Sequence, residues 1–510
     1  MSYYIIGIGG TSARCVESLI HLSAMGLGPE KLYILFVDPD EANWNLNRTI
    51  KIISQYLTCK EILGNPKEYS LFQTEIIFSL DENNQPIYAW SPVKGERNLY
   101  EYFNYYSLPQ QIKHFSRFLY TQQELEELKW DQGFCGRPAV GAPVMTKILE
   151  QINQQPWYGL INNIKETLQK DFAKIMIFAT IFGGTGASGF PTVAKILREL
   201  SEKENWQNKN KFKIGGVLLL PYFSYSLPPE IQNKIYANPN NFLLNTKSAL
   251  SHYSFLWSDG SPYDAIYLLG DTTFDSKGRE FGEGGDKQKN VCHYIEFLAA
   301  LAALSFFFQE QKEGRENFQY YAQRKEEKTI SWSDLPINPD VLDHQKILSR
   351  MIYFTSLASS YLSFYFPLIR SKEFQKQEKR KNITWYTDFF SDNKLLSSEE
   401  QSYQQNLADY FISYLQWVYE FHLFTEREIK LLNKNALEEL KEKKYKFISN
   451  NNFKRLLDGH IYSPVDFAWD ELWEELCSLD TEPEAKSSTG KFIFLLHQAI
   501  EKFCKKNYNL

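Results

Sequence analysis

Residues 175–200 read IMIFATIFGGTGASGFPTVAKILREL, and the rest of the chain is organised around this stretch. Ile175 to Thr180 are mostly apolar and short enough for a buried strand. The run Gly183-Gly184-Thr185-Gly186-Ala187-Ser188-Gly189 follows, and then Val193, Ile196, Leu197 and Leu200 recur at helical spacing. Strand, glycine-rich turn and helix together form a phosphate cradle. Glycines let the backbone approach a ligand closely, and the unpaired N–H groups of a helix start favour an anion. A single turn of this kind is also an ordinary tight turn, so the reading depends on others like it.

Two more occur. Tyr3 to Ile8 reads as a strand that runs into Gly7-Ile8-Gly9-Gly10-Thr11-Ser12-Ala13, with Val16, Leu19, Ile20 and Leu22 as the inner side of the next helix. Gly133 to Gly141 (GFCGRPAVG) is the third turn and leads into a helix through Met145, Ile148, Leu149 and Ile152. Within it, Arg137 is a candidate phosphate partner. A second strand, Lys31 to Val37, ends in Asp38-Pro39-Asp40, followed by Asn43, Asn45 and Asn47, which read either as ligand contacts or as caps and turn residues. An acidic residue after the second strand also occurs in dinucleotide-binding units, although the glycine spacing here is G-x-G-G.

Lys213 to Leu220 and Tyr263 to Leu269 read as further strands, and Val291 to Phe308 as a strongly apolar helix. Alternating strands and helices over residues 1–310 imply an α/β domain with a doubly wound, mostly parallel sheet, whose ligands lie at the carboxyl ends of the strands. Residues 50–130 read as an insertion, 311–341 as a charged connector and 342–510 as a mainly helical C-terminal domain.

Composition narrows the class. A chain of 510 residues exceeds the size at which one core usually divides. Its net charge of −6 argues against a nucleic-acid partner. The six cysteines have no paired spacing, which fits a reduced, cytoplasmic protein, and neither they nor the eight histidines form a metal motif. The N-terminus enters a strand directly, so no secretory signal is expected. Met351 to Ile369 is uncharged but rich in serine and tyrosine, so it reads as a buried helix and not as a membrane span.

Taken together, the motifs resemble the tubulin/FtsZ superfamily. Gly183, Gly184, Thr185, Gly186 and Pro191 match its G-G-G-T-G-[ST]-G signature and early helix proline; Phe182, Ala187 and Ser188 depart from it. GIGGTSAR is similar to the family's first loop, with Ser12 in place of glycine and Arg14 in place of asparagine. VDPDEAN, CGRPAVG and KIGGVLLLPYFSY resemble its second loop, its third loop and its sugar-supporting strand and turn. The resemblance implies GTP or GDP as ligand, with Mg²⁺ on the phosphates. It would be held by Gly9, Gly10, Thr11, Ser12, Asp38, Asn43, Gly136, Arg137 and residues 183–188. Asp286 or Asn290 would read the base ahead of the core helix.

Asn338-Pro339-Asp340-Val341-Leu342-Asp343 fits the family's N-x-D-x-x-D loop, which implies Asn338, Asp340 and Asp343 as catalytic residues acting on a neighbouring subunit's nucleotide. The same residues also read as a capped helix start. The function the resemblance implies is a GTP-binding protein, with GTPase activity, that self-assembles into a filament or oligomer. The alternative is a non-polymerising nucleotide switch or scaffold that recruits another protein through its helical C-terminal region. A third reading, an NAD(P)-binding oxidoreductase, rests on the likeness of GGTGASG to a dehydrogenase turn and on the Tyr321/Lys325 pair.

Overall fold

The structure, a computed structural model, describes residues 2–64, 69–93, 95, 98–128, 130, 133–229, 237–271, 281–282, 284–310, 312–314, 319–321, 335–337, 342–371, 373–374, 383–390, 397–423, 431–456, 469–479 and 483–508. Its strands are β1 (Ser2–Ile8), β2 (Lys31–Val37), β3 (Glu75–Ile77), β4 (Ser79–Leu80), β5 (Pro86–Ile87), β6 (Ala89–Trp90), β7 (Ala173–Thr180), β8 (Phe212–Leu219), β9 (Ala265–Leu269) and β10 (Gln319–Tyr321). The main sheet has the order β10-β9-β8-β7-β1-β2-β3, every pairing along it is parallel, and β6 adds to β2. β1 lies between β2 and β7, with Ile5 opposite Ile34 on one side and Met176 on the other. The central strands are apolar without alternation, as a sheet covered on both faces requires.

The helices used below are α1 (Gly10–Ala24), α2 (Trp44–Leu63), α3 (Pro138–Met145), α4 (Trp157–Leu168), α5 (Gly184–Lys203), α6 (Phe242–Leu256), α7 (Tyr294–Phe308), α8 (His344–Ser360), α9 (Ser398–His422) and α10 (Ser488–Tyr508). The pair Gly215-Gly216 in β8 shows how both faces are covered. A Cβ on Gly215 would lie 3.0 Å from Phe306 of α7, and one on Gly216 would lie 2.5 Å from Phe190 of α5. Adjacent strand residues point to opposite faces, so α7 and α5 pack on opposite sides of the sheet. α1 and α2 pack on each other, and α1 packs on α7. α3 packs on α5.

The apolar run expected from Val291 begins its helix at Tyr294, capped by His293, and every residue from Tyr294 to Phe307 is buried. Residues 50–63, at the start of the stretch read from sequence as an insertion, lie in α2, which connects β2 to β3. Most of 311–341 lies outside the described residues.

The C-terminal helices join the same hydrophobic core as the sheet domain. Tyr410 Oη lies 3.1 Å from His21 Nδ1, and Trp417 Nε1–H donates to Ser18 Oγ at 3.1 Å. Arg48 of α2 bridges Glu17 of α1 at 2.7 Å and Glu420 of α9 at 2.8 Å. Burial pushes the Glu17 carboxyl up to about 7 even beside Arg48. Among the described residues, no helix is long and apolar enough to cross a membrane.

Candidate functional site

Three glycine-bearing turns meet at the carboxyl ends of the strands, where a doubly wound sheet places its ligands. They line one cavity of about 540 Å³, a volume suited to a small organic ligand. The first turn contributes Gly9, Gly10 and Thr11 after β1. The second contributes Thr180, Phe182, Gly183, Gly184, Thr185 and Gly186 after β7, and the third contributes Gly133 to Gly136. Gly9 and Gly136 have φ of 81° and 73°, a region that β-carbons disfavour.

The turns are packed backbone against backbone. A Cβ on Gly184 would lie 2.8 Å from the Phe134 carbonyl and 2.9 Å from the Arg137 nitrogen. One on Gly186 would lie 2.5 Å from the Thr180 carbonyl. Neither Gly9 nor Gly183, the residues before α1 and α5, places a side-chain cap on its helix. Two helix starts therefore face the cavity with backbone N–H groups that have no intrahelical partner, the arrangement that attracts an anion.

A polar wall completes the site, formed by Asp38, Asp40, Asn43, Asn45, Gln288 and Asn290. Asn43 caps α2 through its carbonyl and donates from Nδ2 to Asp38 Oδ2 at 3.2 Å. Asp38 also accepts the Asp40 N–H at 3.1 Å. Burial, with the Asp40 charge added, pushes the Asp38 carboxyl up to about 8, so it is mainly protonated at neutral pH. Asp40 Oδ2 accepts the Gly285 N–H at 2.8 Å, and Asn45 Nδ2 donates to the Gln288 carbonyl at 3.3 Å. These two bonds anchor the segment before α7 across the polar wall. Among the described residues, no lysine or arginine lines the cavity, whereas Asp38, Asp40 and Glu127 do.

Of the residues singled out from sequence, Gly9, Gly10, Thr11, Asp38, Asn43, Gly136, Gly183, Gly184, Thr185, Gly186 and Asn290 line this cavity together. Ser12 and Ser188 are turned to their own helix backbones, donating to the carbonyls of Gly9 and Gly184. The Ala187 carbonyl accepts from Tyr253 at 2.6 Å. Arg137 is ion-paired with Glu124 at 3.1 Å. Asp286 is exposed, and the cavity lining does not include it. Asn338 and Asp340 lie outside the described residues. Asp343 caps α8, accepting the Lys346 N–H at 2.6 Å. Lys325 of the Tyr/Lys pair also lies outside the described residues.

Sequence reasoning placed Phe223 and Tyr225 in the turn that resembles a sugar support, but left out Phe182, Phe242 and Phe281 as lining residues. In sequence these look like core residues. The one available signal was Phe182, an aromatic inside a glycine motif.

Behind the first turn, Arg14 and Glu296 form a buried ion pair, Nε to Oε1 2.7 Å. Burial disfavours the guanidinium charge, but the Glu296 carboxylate more than compensates and holds Arg14 protonated. Arg14 Nη2 reaches Thr11 Oγ1 at 3.4 Å, which links the cavity wall to α7.

No family profile and no curated protein sequence matches the chain. Among solved structures it is similar to CetZ2 from Haloferax volcanii, a GTPγS-bound protofilament, at 15% identity and TM-score 0.29 over 60% of this chain and 59% of that one. It is also similar to CetZ from Methanosaeta thermophila strain DSM 6194, at 11% identity and TM-score 0.25 over 60% and 53% of the two chains. TubZ of Clostridium botulinum phage c-st aligns at 12% identity and TM-score 0.26 over 60% and 59%. The alignments thus span less than two thirds of these solved chains.

Proposed function

We propose that this chain, a divergent tubulin/FtsZ-like protein in its fold, binds a guanine nucleotide, GTP or GDP, in the cavity lined by its three glycine turns. One observation carries the reading: two uncapped helix starts and the backbone-packed turns at Gly184 and Gly186 converge on a single cavity at the carboxyl edge of a parallel sheet. The phosphates would take the N–H groups after Gly9 and Gly183. With three carboxyl groups and no lysine or arginine in the described lining, a triphosphate would need Mg²⁺ to balance its charge.

The test is direct. The purified protein is denatured, its released small molecules are separated by chromatography, and the emptied protein is titrated with GTP, ATP and NADPH. Released GDP or GTP is the expected result, and chelating Mg²⁺ should weaken triphosphate binding. Binding of NADPH with indifference to GTP would overturn the reading in favour of an oxidoreductase.

Asp38 makes this binding pH-dependent. Its carboxyl is neutral below about 8 and gains a negative charge beside the ligand above it. Triphosphate affinity should therefore fall as pH rises from 7 to 9, by up to about tenfold. Asp38→Asn should flatten this profile, and an unchanged slope in the variant would remove Asp38 from the account.

Self-association follows as part of the proposal: a nucleotide buried between subunits would couple binding to assembly and hydrolysis to its release. The 338–343 motif is its proposed catalytic loop. Asp343→Asn keeps a helix-capping oxygen but removes the charge, so it separates catalysis from the cap better than alanine does. GTP-dependent light scattering and turnover should be lost in Asp340→Ala and Asp343→Asn. A non-polymerising switch or scaffold is the second reading, favoured by the C-terminal helices packed on α1 and α2 through the Arg48 bridge. It predicts tight nucleotide binding without scattering. Either way we place the protein in the cytoplasm, with its helical C-terminal region as the surface for any partner protein.

A further inference from the structure

The polar wall of the cavity is held in part by a residue of the C-terminal helices. Asn45 and Asn290, which line it, come from the first turn of α2 and from the segment before α7. Gln288 and Cys292, on either side of Asn290, are each anchored. The Gln288 carbonyl accepts from Asn45 Nδ2 at 3.3 Å, and the Cys292 N–H donates to Glu420 Oε2 at 2.9 Å. Glu420 belongs to α9. The same carboxylate takes a two-pronged grip from Arg48 of α2, Nη1 to Oε1 at 2.9 Å and Nη2 to Oε2 at 2.8 Å. Paired bonds of this kind fix orientation as well as distance. These ties close a triangle of α2, α9 and segment 288–292, with Asn290 hung between its two anchors.

The position of this carboxylate is costly. Glu420 is buried in the last turn of α9, where the helix dipole disfavours an anion, and an apolar side chain would fill the place without the desolvation cost. Gln416 Nε2 also donates to it, at 2.7 Å, so α2, α9 and segment 288–292 all converge on one carboxylate.

We infer that Glu420 is a positioning residue for the nucleotide site: from the C-terminal helices it sets α2 and segment 288–292 against each other and so fixes Asn290 in the polar wall. The inference rests on the nucleotide reading above. It gives the C-terminal helices a direct hold on the cavity, through a residue outside the cavity lining.

The test is a calorimetric titration of the nucleotide-free full chain with Mg-GTP, beside denaturant unfolding of each protein. The single amide oxygen of Glu420→Gln cannot serve both Arg48 and the Cys292 N–H. Affinity should fall about 3- to 10-fold, as for one misplaced hydrogen bond to the ligand. Glu420→Met, which fills the space with an apolar chain, should lose at least as much. Both should fold, because Arg48 keeps Glu17 of α1 at 2.7 Å. In an Asn290→Ala background, Glu420→Gln should change affinity less than about twofold, since the group it positions is gone. Trp417→Phe, which breaks the bond from α9 to Ser18, should cost stability at the same interface and leave affinity within about twofold of wild type. Unchanged affinity in both Glu420 variants, with wild-type binding, would overturn the positioning role and leave the nucleotide reading intact. A full Glu420→Gln loss in the Asn290→Ala background, or an equal loss in Trp417→Phe, would also overturn it, because the effect would then belong to packing in general. So would failure of both Glu420 variants to fold. A wild-type protein with no affinity for Mg-GTP would overturn both readings.

Discussion

Glu296→Ala is expected to lower the unfolding free energy by about 3–5 kcal/mol, among the largest losses a single substitution in this chain should cause. Glu296 is fully buried in α7 and serves three groups: Arg14 Nε at 2.7 Å, the Tyr222 hydroxyl at 2.5 Å and the His293 N–H at 2.9 Å. The last of these closes the capping box that starts the core helix. Alanine would leave the Arg14 guanidinium charged and buried with its main partner gone, and most of the cost lies there. Glu296→Gln should fall between the two, because it keeps hydrogen-bonding atoms but not the charge. A double change that removes both charges, Arg14→Met with Glu296→Leu, should recover much of the loss, since apolar replacements of a buried pair are often neutral. Denaturant unfolding reads all four proteins. A single-variant loss below about 1 kcal/mol would mean that water reaches this pair and that the site is less enclosed than its geometry indicates.

The same pair shows where the sequence was legible and where it was not. Arg14 stood out because it occupies a position where the resembled family has asparagine, but nothing local revealed its partner, 282 residues away in the chain. Contacts at that separation depend on topology. The strand-turn-helix units were readable because each is a local pattern: apolar run, glycine turn, periodic helix. β7 runs from Ala173 to Thr180 and α5 from Gly184, close to the limits read from composition alone. Two of the turns converge because parallel strands carry their loops to one edge, so Gly9 and Gly184 could be read as facing one site from sequence; the Gly136 turn follows no strand among the described residues, and its place beside them rests on its packing against Gly184.

Within the lining, Phe242, Phe281 and the Gly285 contact were not legible, although Asn290 and the turn holding Phe223 and Tyr225 stood out. Phe242 and Phe281 have no periodicity that separates a ligand wall from a core, and Gly285 meets Asp40 only because the chain returns from β9 across the end of β2. The extent of α2 was hidden for a related reason. α2 is amphipathic but begins within a run of asparagines and ends at Gly64, and its tie to the sheet is set by the parallel pairing of β2 with β3.

Gly186→Ala is expected to weaken triphosphate binding by about 100-fold and to lower stability by about 1–3 kcal/mol. The reason is steric and specific to the backbone. The added Cβ would lie 2.5 Å from the Thr180 carbonyl and 2.7 Å from the Thr180 nitrogen, atoms that end β7 and cannot rotate away. The first turn of α5 would have to lift from the strand, and its N–H groups would move with it. Each hydrogen bond from such a group to a charged phosphate contributes about 1.5–3 kcal/mol, so misplacing one or two accounts for the expected loss. Gly184→Ala should behave similarly by a different route, since its Cβ would press on Phe134 and the Arg137 nitrogen and push the third turn away from the second. Gly189→Ala is the control. It lies in the same helix, but the nearest atoms to its Cβ would be side-chain atoms of Ile8 and Met145 and not backbone. It should cost stability and leave affinity within about twofold of wild type, whereas the two turn variants lose both. If all three lose affinity equally, the effect belongs to the packing of α5 as a whole and the glycine turns lose their claim to the phosphates.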